Sequence, residues 1–272
     1  MLRDITLGQY YNTESPLHAM DPRTKILGVI FYMVVLFAAS TVWEYGLVVL
    51  FTAAVIKISK VPLKFITRGL KPIVYIMVFT LVLNLFMTST GEELFRLWIF
   101  RITDQGVILA VKMAVRLVML ILGTSLLTLT TSPIALTGGI ERLLSPFRRI
   151  GVPSHEIAMM MSIALRFIPT LMEETDKIIK AQTSRGADFE SGNLIQKVKS
   201  MIPILVPLFV GAFRRADELA VAMECRCYNG GHGRTSLREL AFRRVDGAAL
   251  AAGLLLAAAL TALKVMHWGG VL

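Results

Sequence analysis

The sequence predicts an all-α integral membrane protein, with about five transmembrane helices and a cytoplasmic segment of long amphipathic helices. Three observations carry that expectation. Of 272 residues 55% are hydrophobic, and a mean hydropathy of +0.64 belongs to a chain whose solvent is the bilayer. Uncharged runs approaching the ~20 residues that cross the hydrocarbon core recur along the chain. One block, residues 141–246, departs from them with 16 Lys or Arg and 12 Asp or Glu, too dense a pattern for membrane-embedded helices.

The first twenty residues, "MLRDITLGQYYNTESPLHAM", mix charged and polar groups without an apolar core or a small-residue cleavage site, so they are expected to stay on the chain. "DPRTK" then suits a helix start: Asp21 as N-cap, Pro22 at the first helical position, and Arg23 and Lys25 at the head-group level. Ile26 to Trp43 carries no charge, and after Glu44 the apolar run resumes from Tyr45 to Ile56. These read as two spans joined by a tight turn near Ser40 to Glu44. Lys57, Lys60, Lys64, Arg68 and Lys71 follow with no acid among them, which places that loop in the cytoplasm by the positive-inside rule.

Pro72 to Gly91 is the third expected span. Glu92, Glu93, Arg96, Arg101 and Asp104 form a slightly acidic outer loop, and a fourth span runs through Leu117 to Leu136, entered past Lys112 and Arg116. Those two cations fit snorkelling toward the interface, or an intramembrane functional charge. The fifth span is Gly247 to Leu263, rich in Ala and Gly that permit close helix approach. The expected division is a membrane domain 1–140 with four spans, a cytoplasmic domain 141–246 and a final transmembrane helix within 247–272. The N-terminus is then cytoplasmic and the C-terminus outside.

The net charge of +10 fits positive-inside loops and contact with anionic lipid, and does not call for nucleic acid. Cys225 and Cys227 are one residue apart, too close for an ordinary disulfide, and read as reduced thiols. With His18, His155, His232 and His267 isolated, no metal-ligand spacing appears. No phosphate-cradling Gly-rich loop and no catalytic constellation appear either, so neither cofactor nor enzyme activity is expected. Glu173, Glu174 and Asp176 read as solvated helix surface.

Two long helices are expected inside the charged block, about His155 to Arg185 and about Leu194 to Tyr228. Pro169 interrupts the apolar half of the first, Pro203 and Pro207 that of the second. The uncharged cores, Ile157 to Leu165 and Ser200 to Phe213, are short for a crossing, so both helices are expected against the membrane face or each other. Their ends echo one another. Arg185 and Arg226 each have an aspartate nine residues earlier (Asp176, Asp217) and an alanine four earlier (Ala181, Ala222). Ser184 and Gly186 flank one arginine, Cys225 and Cys227 the other. Each arginine fits a helix-dipole cap; the two together also fit a paired docking device whose small flanks let a partner close around the guanidinium.

These residues resemble the transmembrane T component of energy-coupling factor transporters, ATP-driven importers of vitamins and transition-metal ions. The resemblance covers essentially the whole chain and rests on "DPRTK" at Asp21 to Lys25, "LRFIPTL" at Leu165 to Leu171, "SRG" at Ser184 to Gly186 and "CRCY" at Cys225 to Tyr228. It implies a non-catalytic coupling subunit. Two cytoplasmic ATP-binding ABC subunits would be held through Ser184, Arg185, Gly186, Cys225, Arg226 and Cys227, and a membrane substrate-binding S component would be toggled. Structural or coupling roles are expected at Asp21, Pro22, Arg23, Arg166, Pro169, Pro203 and Pro207, the last three because proline removes an internal hydrogen bond and commonly kinks a helix. The competing reading is a stand-alone secondary transporter, which would need a midplane site; Glu44, at a turn, is the one charge in the first three spans and the last.

Overall fold

The computed structural model describes residues 10–71, 73–87, 93–97, 100–189, 193–230 and 240–268. In order these form α1 (Pro16–Ala19), α2 (Pro22–Ala38), α3 (Val42–Ser59), α4 (Leu63–Arg68), α5 (Val74–Met87), β1 (Glu93–Leu97), β2 (Phe100–Thr103), α6 (Asp104–Thr130), α7 (Pro133–Leu144), α8 (Ser154–Ser184), α9 (Leu194–Cys225) and α10 (Arg244–Trp268). A 3-10 turn at Ser145–Ile150 separates α7 from α8. The chain forms two compact units, one within Gly8–Gly139 and Leu240–Leu272, the other within Ile140–Glu239.

In the first unit α6 packs on α2, α3 and α5, and α10 packs on α2 and α3. Buried Tyr32, Val35, Leu36, Tyr45, Val48, Leu256 and Leu260 form its main core. Leu27, Ile30, Val34 and Phe37 are exposed on α2, as a lipid-facing side requires. Polar groups tie the helix ends at both extremes of the unit. At one, Lys25 Nζ donates to the Thr130 carbonyl at 2.8 Å, and Asp246 accepts the Asp21 N–H at 2.8 Å. At the other, Arg116 donates to the Ala39 carbonyl at 3.1 Å and Lys264 to that of Ala38 at 2.5 Å. The starts of α2 and α10 therefore share one end with the finish of α6, so α6 runs against both.

Several boundaries differ from expectation. Trp43 and Glu44 lie inside α3, because Glu44 caps it: Oε2 accepts the N–H groups of Ser40 at 2.6 Å and Thr41 at 3.2 Å. The helix expected over Leu117 to Leu136 runs from Asp104 to Thr130 instead. Thr103 caps its start by accepting the Gly106 N–H at 3.2 Å, and Pro133, which cannot continue a helix behind it, opens α7. The all-α class holds with one addition, the antiparallel β1–β2 ribbon in the loop expected outside.

By length and composition four described helices can cross a membrane: Val42–Ser59, Asp104–Thr130, Ile195–Cys225 and Arg244–Met266. Three of these, α3, α6 and α10, coincide with expected spans; α2, with 17 residues, and α5, apolar over Val74–Asn84, are shorter, and α9 is the fourth although it is expected in the cytoplasm. It qualifies because its uncharged half is long enough to average out the two lysines at its start.

In the second unit α8 and α9 pack against each other. His155 Nδ1 meets Glu141 Oε1 at 2.9 Å near the start of α8. Asn193 opens α9, its N–H donating to Gln196 Oε1 at 3.1 Å. Both helices run unbroken through Pro169, Pro203 and Pro207.

Candidate functional site

The two arginine-bearing helix ends share one backbone conformation. On α8 the N–H groups of Arg185, Gly186 and Ala187 donate to the carbonyls of Gln182 (3.0 Å), Thr183 (2.9 Å) and Gln182 (3.0 Å). On α9 those of Arg226, Cys227 and Tyr228 donate to Met223 (3.1 Å), Glu224 (2.8 Å) and Met223 (3.0 Å). Arg185 has φ −91° and ψ 7°, Arg226 φ −93° and ψ 16°. The following residue is left-handed in both, Gly186 at φ 88° and Cys227 at φ 57°. This is the Schellman closure, in which a left-handed residue turns two N–H groups back onto the last orphan carbonyls. Glycine supplies it without strain in α8; Cys227 supplies it against its Cβ.

The closure leaves each guanidinium at a helix C-terminus, where the dipole favours a cation. Arg185 and Arg226 are exposed, as are Ser184, Gly186, Cys225 and Cys227. Ser184 Oγ folds back onto the Lys180 carbonyl at 3.0 Å, so it presents little more than a methylene beside the arginine. Both cysteines are free thiols, and no group of three metal-ligating side chains occurs among the described residues.

The remaining predicted residues lie elsewhere. Arg166 and Pro169 are exposed midway along α8, and Pro203 and Pro207 are exposed in the first half of α9. Asp21, Pro22 and Arg23 start α2 in the first unit: Asp21 Oδ1 accepts the Arg23 N–H at 2.9 Å, and Arg23 reaches the Leu240 carbonyl at 3.3 Å with Phe242 beneath it at 5.5 Å. Arg116 does not snorkel freely, for Phe37 and Tyr45 also lie 5.4 and 5.8 Å from its guanidinium. Glu44, the charge a midplane site would have needed, is engaged in its helix cap.

The ion pair that joins α8 to α9 is not legible in the sequence as a contact. Glu174, read as solvated surface, is half-buried and takes Arg215 Nη2 at 2.5 Å across 41 residues. Arg185 and Arg226 have the same separation, a signal already present in the echo of the two helix ends.

A family model described as a cobalt transport protein, CbiQ, matches residues 13–237. Curated relatives that match nearly end to end are named energy-coupling factor transporter transmembrane protein EcfT. That of Acidaminococcus fermentans is 53% identical over 269 residues, 99% of each chain. That of Clostridium kluyveri is 55% identical over 270 residues, 99% of this chain and 100% of the relative. That of Bacillus subtilis is 47% identical over 264 residues, 97% of this chain and 100% of the relative. By this similarity along its length the chain belongs to the EcfT family, the non-catalytic transmembrane coupling subunits of energy-coupling factor importers.

Proposed function

We propose that Arg185 and Arg226 are the points at which two cytoplasmic ABC ATPase subunits hold this chain. On this reading α8 and α9 carry the ATP-driven closure of that pair to a membrane S component, which binds the imported vitamin or transition-metal ion. The observation that supports it is the matched pair of Schellman-closed tips, each with one exposed arginine between small neighbours. Two like plugs fit two like sockets. A guanidinium offers a planar fork of donors to a carboxylate, and the small flanks let the socket close around it.

A helix of about thirty residues is roughly 45 Å long, enough to carry a displacement from a cytoplasmic face to a neighbouring membrane subunit. The loop charges orient the chain with its N-terminus in the cytoplasm and its C-terminus outside the plasma membrane, with anionic lipid against the basic loops. A C-terminal reporter active only in the cytoplasm overturns that orientation.

The docking reading is tested by copurifying the ATPases with the wild-type chain, Arg185→Glu, Arg226→Glu and the double variant, with coupled ATP hydrolysis measured alongside. The wild type is expected to retain two ATPase subunits, and the double variant to lose both while staying folded in detergent. Retention of the ATPases and of coupled hydrolysis by the double variant reduces the arginines to helix caps and overturns the reading.

A further inference from the structure

We infer that the Glu174–Arg215 ion pair is the pivot at which α8 and α9 cross, a positioning pair that sets the separation of the two arginine tips. Each member lies eleven residues before the arginine that ends its helix. Eleven residues are about three helical turns and roughly 16 Å, so pivot and tip fall on nearly the same face of each helix, and the two arms are equal.

The pairing itself carries the argument. Glu174 and Arg215 occupy equivalent positions of the 41-residue echo, as do Asp176 and Asp217, Ala181 and Ala222, and Arg185 and Arg226. When two like helices are related by a local two-fold axis, equivalent residues meet each other only on that axis. Glu174 and Arg215 do meet, at 2.5 Å. Leu171 and Ala212, also equivalent, line one groove between the helices beside Arg215. Gly211 leaves room for the carboxylate, since a Cβ there would stand 3.2 Å from Glu174 Oε1. The charges at these two equivalent positions are opposite, so a single pair can form where like charges would repel.

An ion pair with both side chains about 30% exposed adds little to stability. What it supplies is register: sliding either helix by one turn separates the charges and makes the arms unequal. The inference rests on the docking reading only for its consequence, that equal arms let both tips engage their ATPases together.

The test measures spin-label distances between Ala181→Cys and Ala222→Cys in the full-length chain, with Cys225→Ser and Cys227→Ser as background. It adds uptake by the assembled transporter without labels. Glu174→Gln and Arg215→Gln are each expected to broaden the distance distribution and to lower ATP-coupled uptake about tenfold. The exchange Glu174→Arg with Arg215→Glu, which puts the same two groups back at the axis, is expected to restore a narrow distribution and most of the uptake. A distribution unchanged by either single variant overturns the pivot, whatever the arginine tips do. A broadened distribution with full uptake overturns its role in coupling, and failure of the exchange to rescue assigns the loss to general packing. The distance readout needs no ATPase, so it stands apart from failure of the docking reading.

Discussion

Asp246, in the first turn of α10, accepts the backbone N–H of Asp21, the N-cap of α2, at 2.8 Å across 225 residues of sequence. Its other oxygen accepts the Arg243 N–H at 2.7 Å, and the residue is only 1% exposed. One carboxylate thus caps its own helix and fastens α2 to α10. Asp246→Ala leaves both N–H groups without this acceptor, and a buried unsatisfied donor costs about 1–3 kcal/mol. The variant is expected to melt lower in detergent, with Asp246→Asn in between, because an amide keeps one acceptor oxygen. A melting temperature equal to wild type in Asp246→Ala refutes the clasp.

Cys227 holds the left-handed position that Gly186 holds in α8, at a cost of about 1–2 kcal/mol for a residue with a Cβ. Cys227→Gly is expected to strengthen the end of α9 by about 1 kcal/mol and to keep ATPase retention. Cys227→Val weakens it, β-branching being least compatible with positive φ. Hydrogen exchange at the Tyr228 amide, bonded to the Met223 carbonyl at 3.0 Å, reads both changes. Faster exchange in the glycine variant contradicts the strain.

Gly123 lets α6 lie against Tyr32, since a Cβ there would stand 2.6 Å from the ring. The ring cannot easily yield, for its hydroxyl meets Thr52 Oγ1 at 2.8 Å. Gly123→Ala is expected to destabilise the first unit by about 1–3 kcal/mol through overpacking. Gly28→Ala, where a Cβ meets nothing within 4 Å, is the control and should be neutral or slightly stabilising. Equal melting of the two variants removes the distinction.

His18 is held neutral. Its Nε2 faces the Tyr11 carbonyl at 2.9 Å and so carries the hydrogen, leaving Nδ1 to accept from Ser15 Oγ at 2.7 Å. Burial, with Lys25 nearby, pushes its pKa below the usual 6.5 despite the Tyr11 hydrogen bond. The unfolded chain therefore takes up the proton first as pH falls. The contribution of His18 to stability is complete above 6.5 and is lost as pH drops past it. Thermal melts between pH 8 and pH 5 should show this slope in wild type and a shallower one in His18→Gln; identical slopes exclude His18 as its source.

Composition and spacing alone determined the membrane class, the charged block, the helix start at Asp21 and Pro22, and the paired ends at Arg185 and Arg226. Each depends on interactions within a few residues or on the average polarity of a run, and such quantities are written locally. Tertiary structure decided where helices stop and what the isolated charges do. Glu44 caps α3 and Arg116 holds the Ala39 carbonyl. Asp246 reaches Asp21, and Glu174 reaches Arg215. The last two pairings join residues 225 and 41 positions apart. A charged side chain takes whichever partner packing brings beside it, and that choice belongs to the folded chain as a whole.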